Sequence, residues 1–341
     1  MKHFIELQKK IAPEISNILE KRYSILLTIK YNQPIGRRGI ANILGETERW
    51  VRSELDTLKK QDLIIVQPLG MYVTEEGEKI LDELSIYMEE LKGLGMLSKK
   101  LEYMLDVEKV IIVPGDSETR PEILKEMGRK AFECIKERIT DNSIIAVTGG
   151  TSTMAVAENA NKIDKKQITV VPATGGYSGK HETQANAVAE KLAGKMKADY
   201  YPLYLPQNIN TAMLKAMMTD INISKVINLI DQTDIFIFGL SNFDQIAKKR
   251  KLDDDFYNCL KSKGAFAEAF GYYFNNDGEV VYKSGSVGIK LEQCDNISTV
   301  VCIAGGLKKA EAIISINRGK KNILVIDKKA AERIYDIMRG E

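Results

Sequence analysis

The residue types on which hydrolases and metalloenzymes depend are scarce in this chain of 341 residues. It has two histidines, His3 and His181, and four cysteines without a C-x-x-C pair. The chain therefore has too few histidines and cysteines to favour a multi-histidine metal site or a Ser-His-Asp triad, and we predict no metal site and no cofactor. Cys134 and Cys302 lie in apolar patterns, so we expect them to be reduced, buried thiols.

Long apolar runs and a strong net charge are also missing. No run reaches the roughly 18 residues that a membrane span needs, and charges interrupt the apolar stretches of the opening segment, unlike a signal peptide. We therefore expect a cytoplasmic protein with no membrane partner. The net charge of +2 means that a nucleic-acid partner would have to meet a local basic surface. The length and the 44% hydrophobic content favour two domains with sizeable cores.

The N-terminal part of the sequence carries three helix signals. Apolar residues recur at helical spacing over Ile15–Tyr31. A short second helix, Arg37–Leu44, ends at Gly45, which suits a left-handed C-terminal position, and Thr47 then provides an N-cap hydroxyl for a third helix, Glu48–Gln61. Two of the helices thus meet across a tight turn.

A hairpin signal follows these helices, because two strand-forming runs in Leu63–Thr74 flank a turn with proline and glycine. The order helix, helix, turn, helix, hairpin is that of a winged helix-turn-helix, which we assign to residues 1–90. Groove contacts are expected from the polar face of the third helix and from the start of the second, while Trp50 is expected to pack between helices. The predicted DNA-binding residues are Arg37, Arg38, Thr47, Arg49, Arg52 and Ser53.

A helical pattern continues from Glu75, with Leu84, Tyr87, Leu91 and further leucines at alternating three- and four-residue steps. This spacing fits an interdomain helix and a dimer seam equally well. We assign residues 91–106 to a linker helix and residues 107–341 to a second domain.

The second domain alternates short apolar runs with helical patterns. Such alternation predicts an α/β fold with a doubly wound, mainly parallel sheet, whose ligand crevice lies at the carboxyl ends of the strands. The predicted strands are Val110–Val113, Ser143–Val147, Ile168–Val171, Tyr200–Leu205, Asp234–Phe238, Thr299–Ile303 and Asn322–Ile326. The predicted helices are Pro121–Arg138, Ser152–Asn161, Glu182–Lys197, Ile223–Asp231, Leu307–Ile316 and Lys328–Arg339.

Three predicted strands run directly into glycine pairs. Glycines let the backbone approach an anion, while hydroxyls and the N–H groups of a following helix donate to it, so phosphate is the favoured guest. The first turn lacks the G-K-[ST] of a Walker A loop and the G-x-G-x-x-G of a dinucleotide loop. An ordinary capped turn explains one such segment, but three on one sheet edge favour a sugar phosphate. The segments are Thr148–Thr153, Thr174–Gly179 and Gly305–Lys309, where Lys308 or Lys309 supplies charge.

Two further features bear on the predicted sugar-phosphate site. The basic run Lys248–Lys251 is either a solvated loop or a clamp for a second phosphate, in which Arg250 is favoured because its planar group suits bidentate contact. Glu268 is an isolated carboxylate among apolar residues and needs a partner if buried, either an internal donor or a sugar hydroxyl.

Several motifs together resemble the sugar-binding transcriptional regulators of the SorC type, over nearly the whole chain. They are IIAVTGGTSTMAVAE, VVPATGGYSG, ETQANAVAEKLA, EAFGYYFNNDGEVVY and IAGGLKKAEAI. The resemblance implies a DNA-binding repressor of glycolytic, triose-phosphate genes that is not an enzyme. It implies a homo-oligomer, dimer or tetramer, on operator double-stranded DNA. It also implies an effector domain akin to sugar-phosphate isomerases that responds to fructose 1,6-bisphosphate.

The resemblance also places the effector contacts on this sequence. Where close relatives have an arginine before the second glycine pair, this chain has Thr174. Losing a charge-assisted contact costs roughly 1.5–3 kcal/mol, about ten- to a hundredfold in affinity. Either a neighbour such as Lys180 substitutes, or binding is weaker, or the effector is another sugar phosphate. The contacts are Gly149, Gly150, Thr151, Ser152, Thr153, Thr174, Gly175, Gly176, Gln184, Arg250, Glu268 and Lys309.

Two other function classes remain open from the residues alone. The second domain is an isomerase-like or kinase-like enzyme only if it holds an acid/base pair, for which Glu268 and His181 are the sole candidates among mostly glycine, hydroxyl and cationic groups. A metabolite-sensing scaffold would instead use the winged helix for protein contact.

Overall fold

The computed structural model describes residues 2–176, 181–205, 211–285 and 287–340. The chain forms two compact units, Met1–Met96 and Leu97–Glu341, which we call the N-terminal unit and the C-terminal unit. Their boundary lies within residues 91–106, the segment that the sequence assigns to a linker.

The N-terminal unit is a winged helix with one additional helix at its start. Its elements are α1 (Lys2–Ile11), α2 (Pro13–Asn32), α3 (Arg37–Leu44), α4 (Glu48–Lys60), β1 (Ile64–Gln67), β2 (Gly70–Val73) and α5 (Glu75–Leu91). The three predicted helices and the hairpin are confirmed. Helix α1 was not predicted, because charges interrupt its apolar pattern.

The sequence signals at the turn between α3 and α4 work as predicted. Gly45 adopts a left-handed conformation with φ of 66°, and the Thr47 hydroxyl accepts a hydrogen bond from the Trp50 N–H at 3.3 Å. Behind this turn, Ile40, Val51 and other apolar side chains are fully buried. The turn therefore fixes α4 against the core while its polar face points to solvent.

The leucine run after Glu75 does not form one continuous helix. Helix α5 ends at Leu91, Gly93 adopts φ of 66°, and α6 (Leu94–Leu105) begins directly afterwards. Leu91, Leu101 and Leu105 are buried within the chain. These leucines serve core packing, so the structure does not present them as a seam.

The C-terminal unit is built on a central sheet whose seven parallel strands lie in the order β6-β5-β4-β7-β11-β12-β3. The doubly wound, mainly parallel sheet is confirmed. Its strands are β3 (Lys109–Val113), β4 (Ile144–Val147), β5 (Thr169–Pro172), β6 (Asp199–Tyr200), β7 (Ile235–Asn242), β11 (Thr299–Ile303) and β12 (Asn322–Asp327). Its helices are α7 (Pro121–Lys136), α8 (Thr151–Asn159), α9 (Ala185–Met196), α10 (Thr211–Met217), α11 (Ile221–Asp231), α12 (Phe243–Arg250), α13 (Asp254–Ser262), α14 (Ala310–Asn317) and α15 (Lys328–Arg339).

An antiparallel extension, absent from the sequence prediction, continues this sheet beyond β7. The last residues of β7 pair with β8 (Ala267–Ala269), which pairs with β9 (Tyr272–Phe274), which in turn pairs with β10 (Val280–Lys283). Helices α12 and α13 cover it through a separate apolar cluster that includes Phe243, Leu260 and Tyr273. The predicted strand Asp234–Phe238 is thus too short, because β7 reaches Asn242.

The predicted strand Tyr200–Leu205 is wrong. Only Asp199–Tyr200 pairs with the sheet. Beyond it, the Asn186 side chain accepts from the Leu203 N–H and donates to the Leu203 carbonyl, both at 3.0 Å. Because a side chain takes both backbone groups, Leu203 has none left for a ladder.

Two composition-based expectations can be compared with the structure. Cys134 and Cys302 are buried free thiols, as predicted. Within the described residues, no helix combines the length and the apolar character needed to cross a membrane.

Candidate anion-binding site

A cleft of about 70 Å³ opens at the carboxyl ends of β4, β5 and β7. We call it the anion cleft. Eight of the predicted effector residues line it, namely Gly149, Gly150, Thr151, Ser152, Thr174, Arg250, Glu268 and Lys309. The structure thus brings together residues from three strand ends, as parallel strands require.

The turn from β4 into α8 forms one wall of the anion cleft. Gly150 precedes α8 with φ of 144° and provides no side-chain cap, so the first N–H groups of the helix have no capping partner in their own turn. Thr151 and Ser152 add hydroxyls at this end. A helix N-terminus with free N–H groups and hydroxyls is a site for an anion.

Close backbone contacts explain the glycine pair. A Cβ on Gly149 would lie 2.6 Å from the Thr183 carbonyl oxygen. That same carbonyl accepts from the Gly150 N–H at 2.9 Å. The segment before α9 therefore presses against the turn, and only glycine fits.

The second loop presents Thr174 to the cleft from a short β-bridge. Thr174 pairs with Gly288, and the Gly175 N–H donates to the Val287 carbonyl at 2.9 Å. A Cβ on Gly288 would lie 2.1 Å from the Ala173 carbonyl oxygen, so this crossing also requires glycine. Thr174 is buried and contributes a hydroxyl but no charge.

Arg250 and the buried Glu268 form an ion pair in the cleft. The Arg250 Nη2 lies 3.2 Å from Glu268 Oε1, and its Nη1 lies 3.4 Å from the Tyr273 hydroxyl. The same carboxylate oxygen accepts from the Gly271 N–H at 3.0 Å. Glu268 thus has internal donors, and it holds the guanidinium in place at the cleft wall.

Lys309 is a cation held largely out of water. Burial lowers the pKa of its ammonium group, and the nearby Lys249 lowers it further, while Glu118 and Asp327 act in the opposite direction. Desolvation and like charge both disfavour the protonated form. An anion in the cleft would relieve both effects.

A buried carboxylate that the sequence reasoning missed organises the floor beside Lys309. Asp327 is fully buried and accepts from the N–H groups of Ser117 and Gly306, each at 2.8 Å. Its other oxygen caps α15 through the Ala330 N–H at 2.8 Å. Asp327 therefore ties the loops after β3 and β11 together and positions the turn that carries Lys309.

Four predicted effector residues do not line the cleft. Thr153 is fully buried, and its hydroxyl donates to the Gly150 carbonyl at 3.1 Å. The Gly176 N–H donates to the Leu205 carbonyl at 2.8 Å, and Gln184 precedes α9. Gly175 is used in the β-bridge. Tyr177–Lys180, including the proposed substitute Lys180, lie outside the described residues, as does the His181 side chain.

Sequence reasoning missed several cleft residues because they depend on tertiary placement. Gly239 and Ser241 lie in the part of β7 that the strand prediction left out. Lys249 lies in the basic run that was recognised, although only Arg250 was favoured there. The additional lining residues are Gly239, Leu240, Ser241, Ile246, Lys249 and Phe270, together with Thr148 from the first predicted glycine segment.

In the N-terminal unit, α4 exposes Arg49, Arg52 and Ser53 on one face. At its start, Glu48 accepts from Arg37 Nε at 2.7 Å and from Arg38 Nε at 3.3 Å. The hydrogen bond from Arg37 is the main cause that lowers the pKa of Glu48. A phosphate at this surface would compete with one carboxylate for two guanidinium groups.

The chain matches known protein families. A model described as a sugar-binding domain matches residues 89–336, and the CggR N-terminal DNA-binding domain matches residues 18–88. The central glycolytic genes regulator of Priestia megaterium is 38% identical over 98% of both chains. The protein of the same name from Bacillus subtilis is 37% identical over 98% of this chain and 99% of its own.

Solved structures agree with these matches. A SorC family transcriptional regulator from Enterococcus faecalis is 31% identical, with a TM-score of 0.66 over 70% of this chain and 99% of its own. The full-length sorbitol operon regulator SorC from Klebsiella pneumoniae shares the fold over 94% of this chain and 98% of its own, with a TM-score of 0.64 and 16% identity. The chain therefore belongs to the SorC family of sugar-binding transcriptional regulators, in the group that carries the CggR N-terminal DNA-binding domain.

Proposed function

We propose that this protein is a transcriptional repressor of glycolytic, triose-phosphate genes and that a sugar phosphate in the anion cleft, fructose 1,6-bisphosphate, releases it from its operator. The relatives named central glycolytic genes regulators support the choice of target genes. No covalent chemistry is part of the proposal. The effector acts because its affinity differs between two states of the protein.

The observation that carries the proposal is the charge of the anion cleft. Three cations, Lys249, Arg250 and Lys309, line it together with the uncapped start of α8. Glu268 is the one carboxylate among the described lining residues, and it is bound to Arg250. Such a site suits a dianion at each end of a sugar and lacks the paired acid and base that isomerisation needs.

Lys249 supports a bisphosphate despite Thr174. It is exposed at the mouth of the cleft, and the described residues include no ion pair that commits it. A cation there can replace the guanidinium that relatives have before the second glycine pair. In this arrangement one phosphate binds at the start of α8 and the other between the basic residues of α12 and Lys309.

The DNA half of the proposal assigns operator contact to α3 and α4. Arg49, Arg52 and Ser53 would reach the major groove, with Arg37, Arg38 and Thr47 at the phosphates. Binding as a homo-oligomer, dimer or tetramer, would place two such faces on paired half-sites.

The test is thermal unfolding with a panel of ligands: fructose 1,6-bisphosphate, fructose 6-phosphate, glucose 6-phosphate, dihydroxyacetone phosphate and inorganic phosphate. We expect the largest rise in Tm with the bisphosphate, because a ligand stabilises the state that it binds. In K249M the advantage of the bisphosphate over the monophosphates should fall about tenfold in affinity.

Release from DNA needs a second measurement. Duplex fragments from upstream of the glycolytic genes of the source genome are titrated by fluorescence anisotropy, with and without the ligand that raises Tm. A lower affinity in its presence supports induction. A rise in Tm with no change in DNA affinity would contradict it, and turnover of any panel member would favour an enzyme.

A further inference from the structure

A second cavity, of about 290 Å³, lies in the C-terminal unit toward the amino ends of β11 and β12. We call it the lower cavity. Its apolar floor consists of Phe238, Phe270, Val300 and Ile316, all buried. Among the described lining residues, it shares Phe270 with the anion cleft.

The chemistry of the lower cavity differs from that of the anion cleft. Cys294 adds a thiol whose pKa is raised to about 12 by burial, so it is neutral and apolar in character. An apolar floor beneath a polar rim is the usual composition of a small-molecule site. The floor favours a ring system or branched hydrocarbon over a sugar.

The rim charges define the polar end of a ligand. Glu108 is bound to Arg138 at 2.6 Å, and Lys320 lies 3.8 Å from Asp295. Lys321, also on the rim, is exposed and has no ion pair within the described residues. The charge that remains available is therefore positive, which favours an anionic group on the ligand.

Phe270 connects the two cavities and holds an unusual backbone conformation. Phe270 and Gly271 form the two-residue turn between β8 and β9, with φ of 37° and 90°. Asparagine or glycine normally takes the first position of such a turn, so a bulky residue with positive φ is strained there. The ring makes edge contacts with Phe236 and Phe238 at 5.2 and 5.3 Å between centroids.

The same turn is tied to the anion cleft. The Gly271 N–H donates to Glu268 Oε1, the oxygen that binds Arg250. A change in the position of the Phe270 ring would shift this hydrogen bond and with it the guanidinium. Because the strained Phe270 lines both cavities, a ligand bound in one cavity can change ligand binding in the other.

We propose that the lower cavity binds an amphipathic small molecule, an apolar ring system with one anionic group, and that the Phe270–Gly271 turn couples it to the anion cleft. The binding half stands independently of the function proposed above. The coupling half rests on that function, because it uses the effector as its reporter.

The probe for binding is 8-anilinonaphthalene-1-sulfonate, an aromatic ring system with one sulfonate, added to the full chain. We expect saturable fluorescence with one site per chain. I316W fills the floor and should weaken binding about tenfold, and K321E should weaken it at least about fivefold, while K321R retains it. K165E changes an exposed lysine outside the cavity and is the matched control.

Circular dichroism and Tm establish that each variant is folded. If I316W does not fold, the surface variant K321E still tests the proposal. Equal dye affinity in the wild type, I316W and K321E would overturn the proposal. Dye affinity that falls as protein concentration rises would show that a second copy covers the cavity, and this too would overturn it.

Coupling is tested by measuring the dye Kd with and without saturating fructose 1,6-bisphosphate. We expect a change of at least about threefold, equal to the change in bisphosphate affinity caused by the dye, because coupling is reciprocal. F270L removes a floor contact and should weaken the dye in both conditions, but the ratio of the two dye Kd values should fall to about 1. A dye Kd that is unchanged by saturating bisphosphate would refute the proposed coupling. Failure of the bisphosphate to raise Tm would instead refute the proposed effector and leave the dye result standing.

Discussion

Lys309 shows at the scale of one residue how a ligand site can cost stability. Burial lowers the pKa of its ammonium group, so the folded protein without ligand disfavours the charge that the site needs. Residues kept for binding often lower stability in this way. Between the lowered pKa and the ordinary value of 10.5 the unfolded chain binds more protons, so stability rises with pH across that alkaline window.

The substitution K309M separates the two effects, because methionine has a similar length but no charge. Without ligand, we expect the variant to be more stable than the wild type at pH 7, by about 1 kcal/mol or 2–4 °C in Tm. This advantage should disappear above pH 10.5, where the wild-type amine is neutral. Affinity for inorganic phosphate should fall about tenfold or more.

Lys308 provides the control, since it is the adjacent lysine but is exposed. K308M should change neither Tm nor phosphate affinity appreciably. If K309M lowered Tm at pH 7 while K308M did not, the desolvation argument for Lys309 would be wrong. Differential scanning fluorimetry over a pH series measures all of these values.

At the scale of elements, the packing of α7 on α8 depends on one glycine. A Cβ on Gly128 in α7 would lie 2.3 Å from the Ala155 carbonyl oxygen, in the helix whose start forms the anion cleft. Gly194 in α9 is exposed and has open space around its Cβ position. Two helical glycines thus have opposite reasons for their presence.

The same substitution at these two positions should therefore have opposite signs. G194A should stabilise the protein by about 0.5–1 kcal/mol, because alanine favours a helix over glycine. G128A should destabilise it by about 1–3 kcal/mol, because the added methyl group forces the helices apart. Chemical denaturation of both variants measures the difference, and a stabilising G128A would refute the close packing.

Some helices and strands can be predicted from the sequence, and others cannot. The bounds of β11 are as predicted and those of β12 differ by one residue, because buried parallel strands are continuous apolar runs between turn signals. The glycine turns of the cleft followed from the same pattern, since functional groups come directly after strands. By contrast, β8 to β10 are too short to show a period. Asp327 joined the site through tertiary contacts that no local pattern contains, and only the fold singles out Lys249 within the recognised basic run.

At the scale of the whole molecule, charge is distributed unevenly although the net charge is +2. Residues 1–96 contain fourteen basic and fifteen acidic residues, so the N-terminal unit as a whole does not attract DNA. Arginines gather on α3 and α4, whereas the acidic residues of α5 start with Glu75, Glu76 and Glu78 in its first turn. Affinity for DNA must then come from contacts at short range. The dependence of the affinity on salt concentration gives the number of these contacts that are made to phosphates.

The salt dependence of DNA binding counts those contacts. The logarithm of the association constant falls with the logarithm of salt concentration at a slope of about −0.9 for each phosphate neutralised. R38A should reduce the magnitude of this slope by about 1 per DNA-bound unit, because the phosphate contact assigned to Arg38 is lost. K79A, which removes an exposed lysine of α5 paired with Glu76, should leave the slope unchanged. Equal loss in both variants would mean that overall charge, and not the arginines of α3, governs binding, and the phosphate contacts assigned to α3 would then be wrong.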